Sequence, residues 1–177
     1  MVKQKAIFLD RDGVINNNII ESGKPYPPLK LGSVHVIKGM KELIKKWQDE
    51  KYLVIVITNQ PDVAAHLVTK NKVDKINKFL KNELNFDDIF VCYHGEKDNC
   101  NCRKPKIGLF LQAQEKYNID MKKSWMIGDR WKDIEAGKKA GCKTIYLNYG
   151  YDEQRPTEQD YTIYPPNDTK AIGDCIK

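Results

Sequence analysis

No apolar run in this chain approaches the eighteen or so residues that cross a membrane. The first apolar stretch, Ala6 to Leu9, is cut short by Asp10 and does not read as the core of a signal segment, so a cytoplasmic location is expected. Internal repeats and low-complexity linkers are absent, and 41% hydrophobic with 31% charged residues is a globular composition. Histidine is scarce, at three residues, and His35 and His66 read as surface or packing positions. The five cysteines are an odd number with three inside eleven positions, which argues against a disulfide framework and for a metal site. Cys142 and Cys175 stand apart and read as buried small apolar residues. With 177 residues the chain can build one substantial core but not two, so a single domain over 1–177 is expected. The net charge of +6 suits an anionic ligand, but the basic residues are scattered. No stripe of basic and aromatic residues suggests a nucleic-acid strand.

What the chain does have is organised around Ala6-Ile7-Phe8-Leu9-Asp10-Arg11-Asp12-Gly13. An unalternating apolar run suggests a strand covered on both faces, as in a parallel sheet. Asp10 and Asp12, two positions apart, would point the same way from its carboxyl end, and Gly13 allows a sharp turn behind them. Two adjacent carboxylates call for a cation such as Mg2+ or for acid–base chemistry.

The remainder alternates. Residues 16–38, rich in Asn, Gly and Pro, read as a long irregular loop that could wall a substrate pocket. Met40, Leu43, Ile44 and Trp47 predict an amphipathic helix ending near Lys51. Strands are predicted at 52–57, 89–91, 125–127 and 144–147, with a possible edge strand at 161–164 before a brief terminal helix. Helices are predicted at 69–84, 106–117 and 132–140, the last closed by Gly141. This rhythm predicts an α/β fold with a doubly wound, mostly parallel, Rossmann-like sheet. Ligands of such sheets bind outside the carboxyl ends of the strands, where Asp10/Asp12, Thr58-Asn59 and Asp129 all fall, with Asp133 four residues further on.

Asp10-Arg11-Asp12-Gly13, Thr58, Lys104 and Gly128-Asp129…Asp133, in that order over residues 5 to 147, resemble the four motifs of the haloacid dehalogenase superfamily of phosphotransferases. The resemblance implies Asp10 as the nucleophile that forms an aspartyl-phosphate, and Asp12 as the general acid and then base. It further implies Mg2+ held by the Asp10 carboxylate, the Asp12 carbonyl and Asp129, with Asp133 outside them. Thr58 would donate to a phosphoryl oxygen, and Lys104 would neutralise the phosphoryl charge and restrain Asp10. Asn59, Gln60, Arg103 and Arg130 are the candidate substrate contacts, Arg103 for a second anionic group.

Cys92-Tyr93-His94…Cys100-Asn101-Cys102 offers three sulfurs and one imidazole, a set suited to tetrahedral Zn2+ with no open position, hence structural. A zinc-bound loop over about 92–105 would fix Lys104, two residues past the last ligand. Together with Thr58-Asn59-Gln60 and Arg103-Lys104-Pro105, this cluster resembles the branch of small phosphatases, without a large cap domain, that act on heptose bisphosphates and histidinol phosphate. The five residues between His94 and Cys100 resemble the histidinol-phosphatase length, whereas Gly23-Lys24-Pro25-Tyr26-Pro27-Pro28 resembles sugar-phosphate enzymes. Pro61-Asp62-Val63 departs from the small residue and glycine usual after Thr-Asn-Gln in that branch. The expectation is a monomeric phosphatase of a small phosphorylated metabolite, a sugar phosphate such as heptose bisphosphate. The alternatives are histidinol phosphate as substrate, a polynucleotide 3′-phosphatase, and a non-catalytic zinc-stabilised binding protein.

Overall fold

The computed structural model describes residues 2–164 and 166–176. Strand β1 (Lys5–Leu9) lies between β4 (Tyr52–Asn59) and β6 (Trp125–Gly128), and pairs with both in parallel. Outward from β4 comes β5 (Asp88–Cys92), and outward from β6 come β7 (Lys143–Leu147) and β8 (Tyr161–Ile163). All these ladders are parallel.

The unalternating apolar runs are explained by helices on both faces. Ile7, Leu9, Val54, Val56 and Ile127 point to one face, where α1 (Met40–Asp49), α2 (Lys70–Leu84) and α5 (Thr169–Cys175) bring Leu43, Trp47, Ile76, Leu80 and Ile172. Ala6, Phe8, Ile55, Ile57 and Met126 point to the other, met by Leu109, Phe110 and Ala113 of α3 (Gly108–Tyr117) and Ala136 of α4 (Trp131–Ala140). From β1 the chain winds outward to β5, then returns through α3 to β6 on the opposite side. The boundary between β1 and β6 is therefore the switch point where such sheets bind ligands. No described helix is long and apolar enough to cross a membrane.

The segment expected to be irregular is not wholly so. It contains an antiparallel hairpin, β2 (Ile19–Glu21) and β3 (Lys24–Tyr26). Ser22 and Gly23 both take positive φ, 49° and 76°, as a tight two-residue hairpin turn requires. Pro25 is accommodated because a two-stranded ribbon leaves one edge of each strand unpaired. Cys142 is buried as expected, but Cys175 is only half-buried.

Candidate active site

The carboxyl ends of β1, β4 and β6 converge on a cleft of about 510 Å³. Asp10 and Asp12 line its floor, hairpin residues Lys24 and Tyr26 one wall, and Asp62 and Arg103 another. One carboxylate oxygen from each of Asp10, Asp129 and Asp133 can be chosen so that all lie within 4.8 Å of one another. All three residues are buried, Asp129 completely. Two glycines permit this approach. A Cβ on Gly13, whose φ is +82°, would sit 2.0 Å from Asp129 Oδ2, and one on Gly128 would sit 2.1 Å from Asp133 Cβ.

Lys104 is the one cation inside the cluster among the described residues. Its Nζ lies 2.9 Å from Asp10 Oδ1 and 2.7 Å from Asp133 Oδ1, and donates to the Ile57 carbonyl at 2.8 Å. Burial alone would lower its pKa, but Asp10 and Asp133 hold it above the ordinary lysine value. Burial pushes the Asp10 carboxyl up to about 6, against the pull of Lys104 and with the push of Asp133 and Asp12. Burial, then Asp133 and Asp10, raise Asp129 well above the usual carboxylate range. Asp129 Oδ1 is buried with no hydrogen-bond partner among the described residues. Clustered carboxylates with an orphaned buried oxygen fit a hard divalent cation, since one lysine leaves the negative charge under-compensated.

Asp12 is held by its neighbours. Arg11 Nη2 lies 2.9 Å from Asp12 Oδ2, Asn16 Nδ2 donates to Oδ1 at 3.0 Å, and Gln60 Nε2 donates to Oδ2 at 2.8 Å. Arg11 is itself buried and donates to Asn77 of α2 and to Gln60. Gln60, expected at the substrate, is therefore placed differently. Its amide is spent on Asp12, Thr58 and Arg11, and it is buried beside Thr58 and is not among the residues that line the cleft. Thr58 is also buried there, accepting from Gln60 while its own proton has no acceptor among the described residues. Asn59 lines the cleft, but its amide clamps the Lys104 backbone in both directions, each at 3.1 Å. Arg130 lines the cleft and is paired with Glu153.

The cysteine cluster is assembled as its spacing predicts. Cys92 Sγ lies 3.7 Å from Cys100 Sγ and 3.2 Å from Cys102 Sγ, and His94 Nδ1 lies 3.6 Å from Cys92 and 3.3 Å from Cys102. Zn–S bonds of about 2.3 Å imply tetrahedral S···S edges of roughly 3.8 Å, so one ion could bridge the four after a slight expansion. Burial opposes ionisation of Cys100, but backbone N–H groups of Arg103 and Cys102 help bring its thiol down to about 7. Cys92 ends β5 in register with Asn59, so the cluster and the Asn59 clamp secure both ends of the segment leading to Lys104.

Several participants had no role assigned from the sequence: Arg11, although it stands inside the first motif, and Asn16 beside Asp12, and Asn18 and Tyr151, which donate to Asp129 and lie outside every motif. Asn77 alone left a signal, a polar residue on the apolar stripe of Val73, Ile76 and Leu80.

Comparison with known proteins agrees with this geometry. Residues 101–175 match the Hydrolase_like family, described as HAD-hydrolase-like. A D-glycero-beta-D-manno-heptose-1,7-bisphosphate 7-phosphatase of Helicobacter pylori strain 26695 is 34% identical over 100% of both chains. A D-glycero-alpha-D-manno-heptose-1,7-bisphosphate 7-phosphatase of Campylobacter jejuni is 36% identical, covering 82% of this chain and 83% of its own. Among solved structures, the D,D-heptose 1,7-bisphosphate phosphatase from B. bronchiseptica, complexed with magnesium and phosphate, superposes with a TM-score of 0.81. It is 25% identical, and 97% of each chain is covered.

Proposed function

Because this chain belongs to the haloacid dehalogenase-like hydrolases, in the family of the heptose-1,7-bisphosphate phosphatases, and is by that membership a phosphoric monoester hydrolase, we propose that it removes a phosphate from D-glycero-D-manno-heptose 1,7-bisphosphate with the help of Mg2+. The observation that carries the reading is the Asp10–Lys104–Asp133 cluster beside Asp129 at the switch point of the sheet. Relatives named for this substrate over the full chain length support the choice of sugar.

Asp10, Asp129 and the Asp12 carbonyl would hold Mg2+, with Asp133 engaged by Lys104 behind them. The ion, when bound, offsets negative charge between the nucleophile and the phosphoryl oxygens. An Asp10 oxygen attacks phosphorus, and an Asp10–phosphorus bond forms as the bond to the sugar oxygen breaks. Asp12, fixed in orientation by Arg11, Asn16 and Gln60, gives its proton to the departing oxygen. It then takes a proton from the water that attacks phosphorus and releases Asp10. Lys104 would neutralise the phosphoryl charge from beside Asp10, and the Thr58 hydroxyl, buried close by with its proton unclaimed among the described residues, would donate to a phosphoryl oxygen. Arg103, on the cleft wall, would meet the second phosphate. Zn2+ on Cys92, His94, Cys100 and Cys102 would be structural. We place the enzyme in the cytoplasm as a monomeric single domain, where thiols stay reduced and available to a metal.

A phosphate-release screen tests the reading. Both anomers of the heptose bisphosphate should turn over well above histidinol phosphate and a 3′-phosphorylated oligonucleotide. Preference for either of the latter, or no release from any of them, would contradict it.

Two further expectations concern the metals. In the ion-free protein a raised Asp10 pKa stabilises the fold below the unfolded value of 3.8, and that contribution is lost as pH rises through about 6. Mg2+, which binds the ionised carboxylates, should therefore raise the melting temperature more at about pH 7.5 than at about pH 5.5. Equal shifts at the two pH values would argue against a site at Asp10. Cys100→Ser should lower zinc content, activity and melting temperature together, the last by roughly 5–10 °C. Full zinc content with unchanged melting would rule out the structural role.

A further inference from the structure

Two side chains outside every motif meet on Asp129. Asn18 Nδ2 donates to Asp129 Oδ2 at 2.8 Å, and the Tyr151 hydroxyl donates to the same oxygen at 2.9 Å. Asn18 Nδ2 also lies 2.9 Å from the Tyr151 hydroxyl, which closes the triangle. Both donors occupy Oδ2, and Oδ1 is the buried oxygen left without a partner among the described residues. The Tyr151 ring stacks on Tyr149 with centroids 5.3 Å apart and planes 3° from parallel, so the hydroxyl is presented by a braced ring. Asn18 immediately precedes β2. The Asp152 N–H, next to Tyr151, donates to the Gly23 carbonyl in the turn of that hairpin at 3.0 Å. The loop after β7 thus touches the carboxylate and both ends of the hairpin that walls the cleft.

We propose that Asn18 and Tyr151 are positioning residues that aim Asp129 Oδ1 at the cation, and that through Asn18 occupancy of the cation site is transmitted to the hairpin of residues 19–26. An ion on Oδ1 fixes the plane of the carboxylate and so fixes where Oδ2 meets its two donors. Asn18 is ordered as a consequence, and β2 with it. By reciprocity, a substrate that orders the hairpin tightens the cation. The inference rests on the cation reading above.

Tyr151→Phe keeps the stacked ring and removes only the hydroxyl, and Asn18→Ala removes the other donor. Mg2+ titrations followed by melting temperature should show the midpoint rising about tenfold in each variant, as expected for losing one hydrogen bond to a charged acceptor. Amide hydrogen exchange should show Mg2+ protecting residues 19–26 in the parent but not in Asn18→Ala. A merely structural role would lower the ion-free melting temperature and leave both readouts in place, which would overturn the proposal. If Asn18→Ala does not fold, Tyr151→Phe still decides the positioning claim through its midpoint, and Asn18→Leu, which keeps the side-chain volume and removes the donor, decides the transmission through loss of hairpin protection. A parent that does not respond to Mg2+ removes the cation reading and this inference together. A responding parent with unshifted variants removes only the inference.

Discussion

Asp10→Asn should abolish phosphate release, by more than about 10⁴-fold in kcat, while the protein folds normally. The amide cannot form the phosphorylated intermediate, and no neighbouring carboxylate can replace it. Asp133 is tied to Lys104, Asp129 gives one oxygen to Asn18 and Tyr151, and Asp12 is held by three donors. Without Mg2+ the variant should melt at or above the parental temperature, because it removes a charge from a crowded, desolvated cluster. Phosphate release at the parental rate would place the nucleophile elsewhere.

Lys104→Met should damage both function and stability. The ammonium meets Asp10, Asp133 and the Ile57 carbonyl at full burial, and no other cation enters the cluster among the described residues. Breaking a buried pair costs about 3–5 kcal/mol because the remaining charge is stranded. For a chain of this size that is on the order of 10 °C in melting temperature. The loss has a predictable pH dependence. Removing Lys104 raises the folded pKa of Asp10 further, so the penalty should be smallest in mild acid and grow as pH rises through that value. Turnover should fall by about 10²–10³-fold, the usual effect of deleting a preorganised charge at a transferring group. Thermal melts across pH with steady-state kinetics check both parts. A pH-independent loss of stability would mean that the lysine acts by packing alone.

Much of this was legible in the sequence because the relevant signals are local. Ile7, Phe8 and Leu9 run together without alternation because successive side chains face different helical layers, and that alone marks a central parallel strand. Asp10, Thr58 and Asp129 stand at or just beyond strand ends, so a parallel sheet brings them to one rim whatever the loops do. The hairpin around Ser22-Gly23 was missed, because the Asn, Gly and Pro residues of 16–38 favour an irregular reading. The partners of the acidic residues were not legible either. Asn18 and Tyr151 are separated by 133 positions and meet only because the loop after β7 folds back over the hairpin. Nothing local in Gln60 distinguishes a substrate contact from a brace for Asp12. In the fold it is buried, with its amide engaged by Asp12, Thr58 and Arg11.

The most direct measurement is the anomalous scattering of Mn2+ soaked into crystals of the protein. One peak is expected in the acidic cluster, about 2.0–2.4 Å from oxygens of both Asp10 and Asp129 and next to Lys104. A peak that touches only one of them, or ion binding confined to another part of the surface, would contradict it.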